Sequence, residues 1–397
     1  MCWQPKFNRN LGACPKIDAV ERESDFESFF SPIRGEYWVY STKTGGKRGQ
    51  NRFSAVGSLF SDRLLALLLL VFAITACSRQ PQLHEHQYLT FGTIVTVTIA
   101  GSTDDLAEQA FNILEEDFTL LHENWHAWKP GSLGRVNTLL PYGKPFSTGP
   151  EMVSMITKAQ KISRDSEYLF NPALGKLIAL WGFHQDQPEK QIGTTTTQIQ
   201  ALLKTNPTLD DIQINGIDLQ CSNPAVQLDF GGFAKGYALN LAAERLLELG
   251  LSNFVINAGG DLVAYGKHPQ RPWKIGVRDP REARVLATIE AQDGEGIFSS
   301  GDYERYYLEA DKRRHHIIDP RNGMPSEGAR AVTVIHQDAA LADAAATALM
   351  IASDTEWRRI AKKLGVTQVL RVNDSGEIVT TKQMAARISI ESNHPKN

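Results

Sequence analysis

Hydrophobic positions along the chain follow two periods, and the switch between them predicts the elements. Tyr88–Ile99 alternates Val or Ile with Thr, the period of a strand, with a glycine near its start. From Asp104 to about Trp128 the apolar positions Leu106, Ala110, Ile113, Leu114, Phe118 and Leu121 line one helix face, and Asp104 and Asp105 suit the positive end of its dipole. Glu151–Ser166 predicts a second helix, broken by Phe170-Asn-Pro172, with a short helix over Ala173–Trp181 and a polar, peripheral one over Thr194–Lys204. Leu219–Asp229 predicts paired strands around a Ser-Asn-Pro turn. Ala238, Leu241, Ala242, Leu246 and Leu249 mark an amphipathic helix that Gly250 stops, followed by a buried strand over Asn253–Ile256. Short strands are expected over Trp273–Arg278, Ala287–Gln292, Ile297–Ser299, Tyr306–Glu309, His315–Ile318 and Ala331–Ile335. An alanine-rich helix over Leu341–Ser353, another over Glu356–Leu364 and a closing strand over Gln368–Val372 complete the pattern. Helices mixed with meandering strands predict an α+β fold, mixed sheets packed against helices in one compact catalytic unit of one or two lobes.

The N-terminal region departs from this pattern. Leu64–Ala76 is an apolar run too short to span a bilayer comfortably, and Lys47, Arg48, Arg52 and Arg63 precede it. That is the shape of a secretory signal peptide. It ends at Ile74-Thr-Ala-Cys77, which resembles a bacterial lipobox, so Cys77 is the expected site of lipidation and the expected mature N-terminus. Residues 1–55 do not look like a signal n-region, and one reading is that translation starts nearer Val56 or Leu59, from a non-Met codon. The expected organisation is therefore 1–76 as extension and signal peptide, 77–87 as lipidated Cys and tether, and 88–397 as the catalytic domain. The protein is expected to be exported and lipid-anchored to a bacterial membrane, facing the periplasm. Ser78 hints at outer-membrane sorting in a typical Gram-negative lipoprotein.

Composition adds exclusions. The chain is 42% hydrophobic and 22% charged with a formal net charge of -3, so no basic excess points to nucleic acid. After cleavage only Cys221 would remain as a free thiol, which leaves no internal disulfide framework, and no Cys/His cluster supports structural zinc.

Chemistry concentrates in two glycine-rich segments flanking the amphipathic helix, Leu228-Asp-Phe-Gly-Gly-Phe-Ala-Lys-Gly-Tyr237 and Ile256-Asn-Ala-Gly-Gly-Asp261. Glycine lets a backbone come close to a ligand, and a helix start offers free N–H groups to an anion. A phosphate-bearing ligand fits; so do two ordinary strand–helix turns. Neither the Rossmann nor the P-loop fingerprint is present. Asp343 and Thr347 fall on one helix face as hard oxygen ligands suited to Mg²⁺, or as a helix-start Asp with an outward Thr. His316, near Asp319, is a candidate base or a strand histidine in a polar network. Tyr303 and Arg305 follow a glycine turn, where Arg305 could clamp a phosphate or pair with an acid. Lys235 could reach a phosphate or simply open a solvated helix.

Taken in order, Gly92-Thr93, Phe170-Asn-Pro-Ala-Leu-Gly175, Leu180-Trp-Gly-Phe183, Asp229–Gly236, Asn257-Ala-Gly-Gly-Asp261, Ser300-Gly-Asp-Tyr-Glu-Arg305, His316-Ile-Ile-Asp-Pro320 and Asp343-x-x-x-Thr347 resemble the ApbE family of FAD:protein FMN transferases. The resemblance implies an enzyme that binds FAD and Mg²⁺, transfers FMN to a Thr or Ser hydroxyl of an acceptor flavoprotein and releases AMP. Carried over, it implies Asp343, Thr347 and the carbonyl of Ala234 as metal ligands. It places Asn257, Gly259, Gly260 and Asp261 in the FAD site, with Lys235, Tyr303 and Arg305 at motif positions, and makes His316 the group that assists the acceptor hydroxyl. The expected acceptor is a subunit of a membrane electron-transfer or ion-pumping complex. Two positions depart from the family: Phe91 stands where a Met is usual, and Gly131-Ser-Leu-Gly-Arg-Val-Asn137 lacks the family's glutamate. An FAD pyrophosphatase and a non-catalytic periplasmic flavin-binding lipoprotein are the alternatives on the same residues.

Overall fold

The computed structural model describes residues 82–185 and 196–391. The readings on the signal peptide, Cys77 and the translation start lie outside the described residues. The strands are β1 (Leu83–Thr90), β2 (Thr93–Ala100), β3 (Phe146–Ser147), β4 (Ile212–Asn215), β5 (Asp218–Cys221), β6 (Phe254–Ala258), β7 (Asp261–Tyr265), β8 (Lys274–Arg278), β9 (Val285–Glu290), β10 (Glu295–Gly301), β11 (Tyr306–Glu309), β12 (Lys312–His315), β13 (Ala329–His336), β14 (Gln368–Asn373), β15 (Ile378–Thr380) and β16 (Ile388–Ile390). The helices are α1 (Asp104–Asn124), α2 (Ser132–Leu139), α3 (Pro150–Asp165), α4 (Gly175–Leu180), α5 (Thr196–Thr205), α6 (Ala234–Glu248), α7 (Ala339–Ile351), α8 (Trp357–Lys363) and α9 (Lys382–Ala385).

An eight-stranded sheet in the order β1-β2-β6-β7-β10-β13-β14-β15 carries the molecule, and every neighbouring pair in it is antiparallel. One face is covered by helices. Val95, Val97 and Ile99 of β2 share a core there with Ala110, Leu114 and Phe118 of α1, which is what the two periods in the sequence require. The other face meets the small sheet β16-β9-β8 through a second core around Trp273, Leu286, Ala287 and Ile289. The architecture is α+β, as the sequence predicts.

Helix α7 is apolar on nearly all sides because nearly all sides are buried. Its start is Asp338, whose carboxylate accepts from the N–H groups of Ala340 and Leu341. Alanine lets α6 lie close against it. At Gly236 a Cβ would stand 2.2 Å from the Ala339 carbonyl oxygen.

Four predicted elements are corrected. Tyr88–Ile99 is not one strand but a hairpin that turns at Phe91 and Gly92, with φ of 51° and 71°, the left-handed pair a two-residue loop demands. Strand β1 begins at Leu83, inside the segment expected as a tether. Leu219–Asp229 does not pair with itself: β5 pairs with β3 and β4 instead. Leu228 finds a surrogate strand in the Asn137 side chain, whose Oδ1 accepts from Leu228 N at 2.7 Å and whose Nδ2 donates to Leu228 O at 2.9 Å. Finally, β14 does not close the sheet. The chain adds β15 at its edge, then α9, then β16, which pairs with β9.

Candidate functional site

The two glycine segments have different jobs. Asn257–Asp261 is a hairpin turn between β6 and β7, with Gly259 and Gly260 at φ 67° and 108°. It is not the strand–helix turn considered from sequence. Asn257 Oδ1 accepts from Gly260 N at 2.8 Å and fixes the turn. Gly259 lies so close to β2 that a Cβ would be 2.3 Å from Thr93 Oγ1. The first segment does enter a helix. Asp229 Oδ1 accepts from Gly231 N at 2.9 Å, Trp128 Nε1 donates to Asp229 Oδ2 at 3.3 Å, and α6 then begins at Ala234.

Asp343 and Thr347 meet these segments from α7. Asp343 is buried, and its Oδ2 accepts from Gly236 N at 3.0 Å. Thr347 Oγ1 donates to the Asp343 carbonyl at 3.4 Å and lies 3.4 Å from Ser300 Oγ. Gly232 leaves room for it: a Cβ there would be 2.7 Å from Thr347 Oγ1. Lys235 is not a solvated helix start. It pairs with the buried Asp261, whose other oxygen accepts from Ser299 N at 2.8 Å.

The electrostatics follow from this packing. Burial opposes the charge of Lys235, but Asp261, Asp343 and Glu304 outweigh it and hold the ammonium above its ordinary range. Burial pushes Asp343 up to about 7, with Lys235 pulling down and Asp261 adding to the push. Glu304 is pushed upward by the same burial and by the same two aspartates, although its side chain keeps solvent contact. Carboxylates therefore outnumber cations in this cluster, which suits a hard divalent cation. Among the described residues no group of three or more His, Cys, Asp or Glu forms a closed metal cage. The mixed set of Asp343, the Thr347 hydroxyl and a carbonyl at Ala234 fits a site completed by water and substrate oxygens.

An open cleft adjoins the cluster. Thr347, Asp229, Gly231 and Gly232 line it, together with His316, Arg305 and apolar walls that include Phe170, Phe183 and Ile317. His316 Nδ1 is 3.3 Å from the Arg305 carbonyl oxygen. A carbonyl only accepts, so Nδ1 carries the hydrogen and Nε2 keeps a free lone pair. Burial first, then the charges of Arg305 and His315, lower the pKa of His316 to about 3. The ring is therefore neutral at physiological pH. Its neighbour His315 is structural: Nε2 is 2.9 Å from the Ser326 carbonyl oxygen, and Nδ1 accepts from Ile317 N.

Arg305 reaches the cleft, and among the described residues it pairs with no acid; its Nη2 donates to the carbonyls of Phe183 and Gln185, both at 2.9 Å. Tyr303 stands apart from the cleft lining. Its ring covers Gly301 and lies 5.0 Å beneath the Arg278 guanidinium, beside the second core. Sequence reasoning missed Glu304 and Gly232. Glu304 sits in the Ser300–Arg305 motif, between two residues that were singled out for their chemistry.

Residues 91–370 match the ApbE family, and the chain belongs to it. A Rhodobacter capsulatus FAD:protein FMN transferase is 39% identical over 316 residues, which are 79% of this chain and 60% of that longer relative. A Haemophilus influenzae protein of the same name is 25% identical over 327 residues, 80% of this chain and 94% of the relative. Among solved structures, the ApbE protein of Thermotoga maritima superposes with a TM-score of 0.69 at 27% identity, covering 77% of this chain and 99% of that one. The flavinyl transferase ApbE of Pseudomonas stutzeri gives 0.69 at 27% identity, covering 78% and 98%.

Proposed function

We propose that this chain is an FAD:protein FMN transferase that uses Mg²⁺ to move FMN from FAD onto a Thr or Ser hydroxyl of an acceptor flavoprotein, releasing AMP. The observation that carries the reading is the junction of the buried Asp343 and its helix neighbour Thr347 with a cleft that holds a neutral His316. The acceptor hydroxyl attacks the FMN phosphorus, the bond from that phosphorus to the bridging oxygen breaks, and AMP leaves with that oxygen. His316 Nε2 takes the hydroxyl proton. Asp343, Thr347 and the Ala234 carbonyl would hold Mg²⁺, which supplies charge neutralisation across the diphosphate. Asn257, Gly259, Gly260 and Asp261 shape the FAD side of the site, with Lys235 securing Asp261. Phosphoryl transfer depends mainly on positioning and electrostatics, and these residues offer both.

The same proposal places the enzyme outside the cytoplasm, anchored through lipidated Cys77, with a membrane-complex subunit as acceptor. The sequence pattern around Cys77 supports that placement. The test is incubation of the purified chain with FAD, Mg²⁺ and a Thr-bearing flavoprotein domain. Flavin fluorescence on the denatured acceptor, together with AMP, is the expected result. Free FMN and AMP without a labelled acceptor would replace the reading with a pyrophosphatase. Intact bound FAD would replace it with a flavin store.

A further inference from the structure

Arg305 and His316 face each other across the base of the β11–β12 hairpin, one residue outside the Tyr306–His315 pair. The Arg305 carbonyl accepts twice from His316: from its backbone N–H at 3.1 Å and from ring Nδ1 at 3.3 Å. The Arg305 side chain turns the other way and binds the backbone carbonyls of Phe183 and Gln185. Phe183 is buried, and its ring stacks on Tyr307 with centroids 5.8 Å apart and meets the His316 ring edge-on at 6.2 Å. One residue thus holds the imidazole through its main chain and, through its guanidinium, holds the aromatic wall on which the imidazole rests.

We propose that Arg305 and Phe183 are positioning residues for His316: Arg305 anchors the Phe183 segment so that its ring fixes the imidazole plane, with Nε2 left facing the cleft. This rests on the transferase reading for its rate readout, but not for its spectroscopic one. Among the described residues, the charged and titratable groups acting on His316 include Arg305 and His315 on the same hairpin and Lys235 from α6, while Asp229 lines the same cleft. The Arg305 charge also disfavours protonation of the ring, so anchor and charge can be separated by substitution.

The experiment uses the full chain, with His316 identified in ¹⁵N-histidine spectra by its absence in His316→Gln. In the unaltered chain the ring should stay neutral, with Nδ1 protonated, from pH 8 down to pH 5. Arg305→Met should raise the His316 titration midpoint by at least one pH unit. It should also lower kcat for flavin transfer at least tenfold, with the FAD dissociation constant changed less than threefold. Arg305→Lys, which keeps the charge and loses the planar contact to two carbonyls, should leave the midpoint within half a unit yet still lower kcat about fivefold. Phe183→Leu should lower kcat similarly, again without loss of FAD affinity. The Lys variant carries the test if the Met variant melts at assay temperature. FAD affinity falling in step with kcat would make Arg305 a binding residue and overturn the proposal, as would an unaltered His316 titration in Arg305→Met. A chain that transfers no flavin would sink the functional reading, while the titration and tautomer results would still decide the brace.

Discussion

Lys235, at the start of α6, pairs with Asp261, at the start of β7, and so ties the two glycine segments together across the site. The pair is embedded among further carboxylates, since Asp343 and Glu304 also act on the Lys235 charge. Removing Lys235 from such a group leaves buried carboxylate charge undercompensated, which typically costs about 3–5 kcal/mol. Lys235→Met should therefore lower stability by about that amount in urea denaturation at pH 8 without Mg²⁺. Adding Asp261→Asn should recover a large part of it. A double variant no more stable than the single one would show that Lys235 contributes packing rather than charge.

Thr347 depends on Gly232 for its place. Alanine at 232 would put a Cβ 2.7 Å from Thr347 Oγ1, and the hydroxyl would have to rotate away. An off-rotamer threonine costs about 1 kcal/mol, so the fold should survive Gly232→Ala. The Mg²⁺ concentration for half-maximal turnover should rise about tenfold, equivalent to about 1.4 kcal/mol. Thr347→Val keeps the shape, removes the hydroxyl and should have the same effect. Unchanged Mg²⁺ dependence in both variants would remove Thr347 from the metal site.

Much of this site was legible in the sequence because its chemistry lies in short motifs. The spacing of Asp343 and Thr347 on a helix, and the glycine segments around α6, survive in the structure. Contacts between distant segments were not legible. Nothing local says that Lys235 turns inward to Asp261, or that Tyr303 packs on Arg278 beside the second core while Glu304, the next residue, joins the acidic cluster. The fold failed to show where periodicity is silent. Phe91 interrupts an alternating run only through its positive φ, and Leu228 satisfies its backbone with an asparagine side chain rather than a strand. Such substitutes leave no trace in a hydrophobic pattern.

Close packing of α6 on α7 sets the frame that brings Gly236 N to Asp343. At Gly236 a Cβ would lie 2.2 Å from the Ala339 carbonyl oxygen and 2.9 Å from Ala340 Cα, both backbone atoms that cannot rotate aside. Gly236→Ala must push the helices apart, at about 3 kcal/mol or more, and should weaken Mg²⁺ dependence as well. Gly250→Ala is the control. A Cβ there meets nothing within 4 Å, and the left-handed φ of 79° sets a cost of about 1–2 kcal/mol. Equal losses in chemical denaturation would mean that α6 and α7 yield more easily than their contact implies.

His316 links the site to acid stability. Its pKa is lowered to about 3 in the folded chain, against about 6.5 when unfolded. Above pH 6.5 the ring is neutral in both states and the shift contributes nothing. As pH falls below 6.5 the unfolded chain takes up a proton that the folded chain refuses, and the native state loses ground until the pH passes the folded value. Because the ring is partly open to the cleft, the loss by pH 5 should be about 1–2 kcal/mol. Asp343, pushed up to about 7, runs the opposite way: it favours the folded state at pH 5 and loses that advantage as pH rises toward 7. The wild-type curve sums both and tests neither. The difference between wild type and His316→Gln isolates the histidine, because Asp343 is common to both chains. Wild-type stability relative to the variant should therefore fall by about 1–2 kcal/mol between pH 7.5 and pH 5 in urea titrations. A difference that does not change with pH would mean that His316 protonates as readily in the folded chain as in the unfolded one. It would then be a cation, not a base, across the acid half of that range.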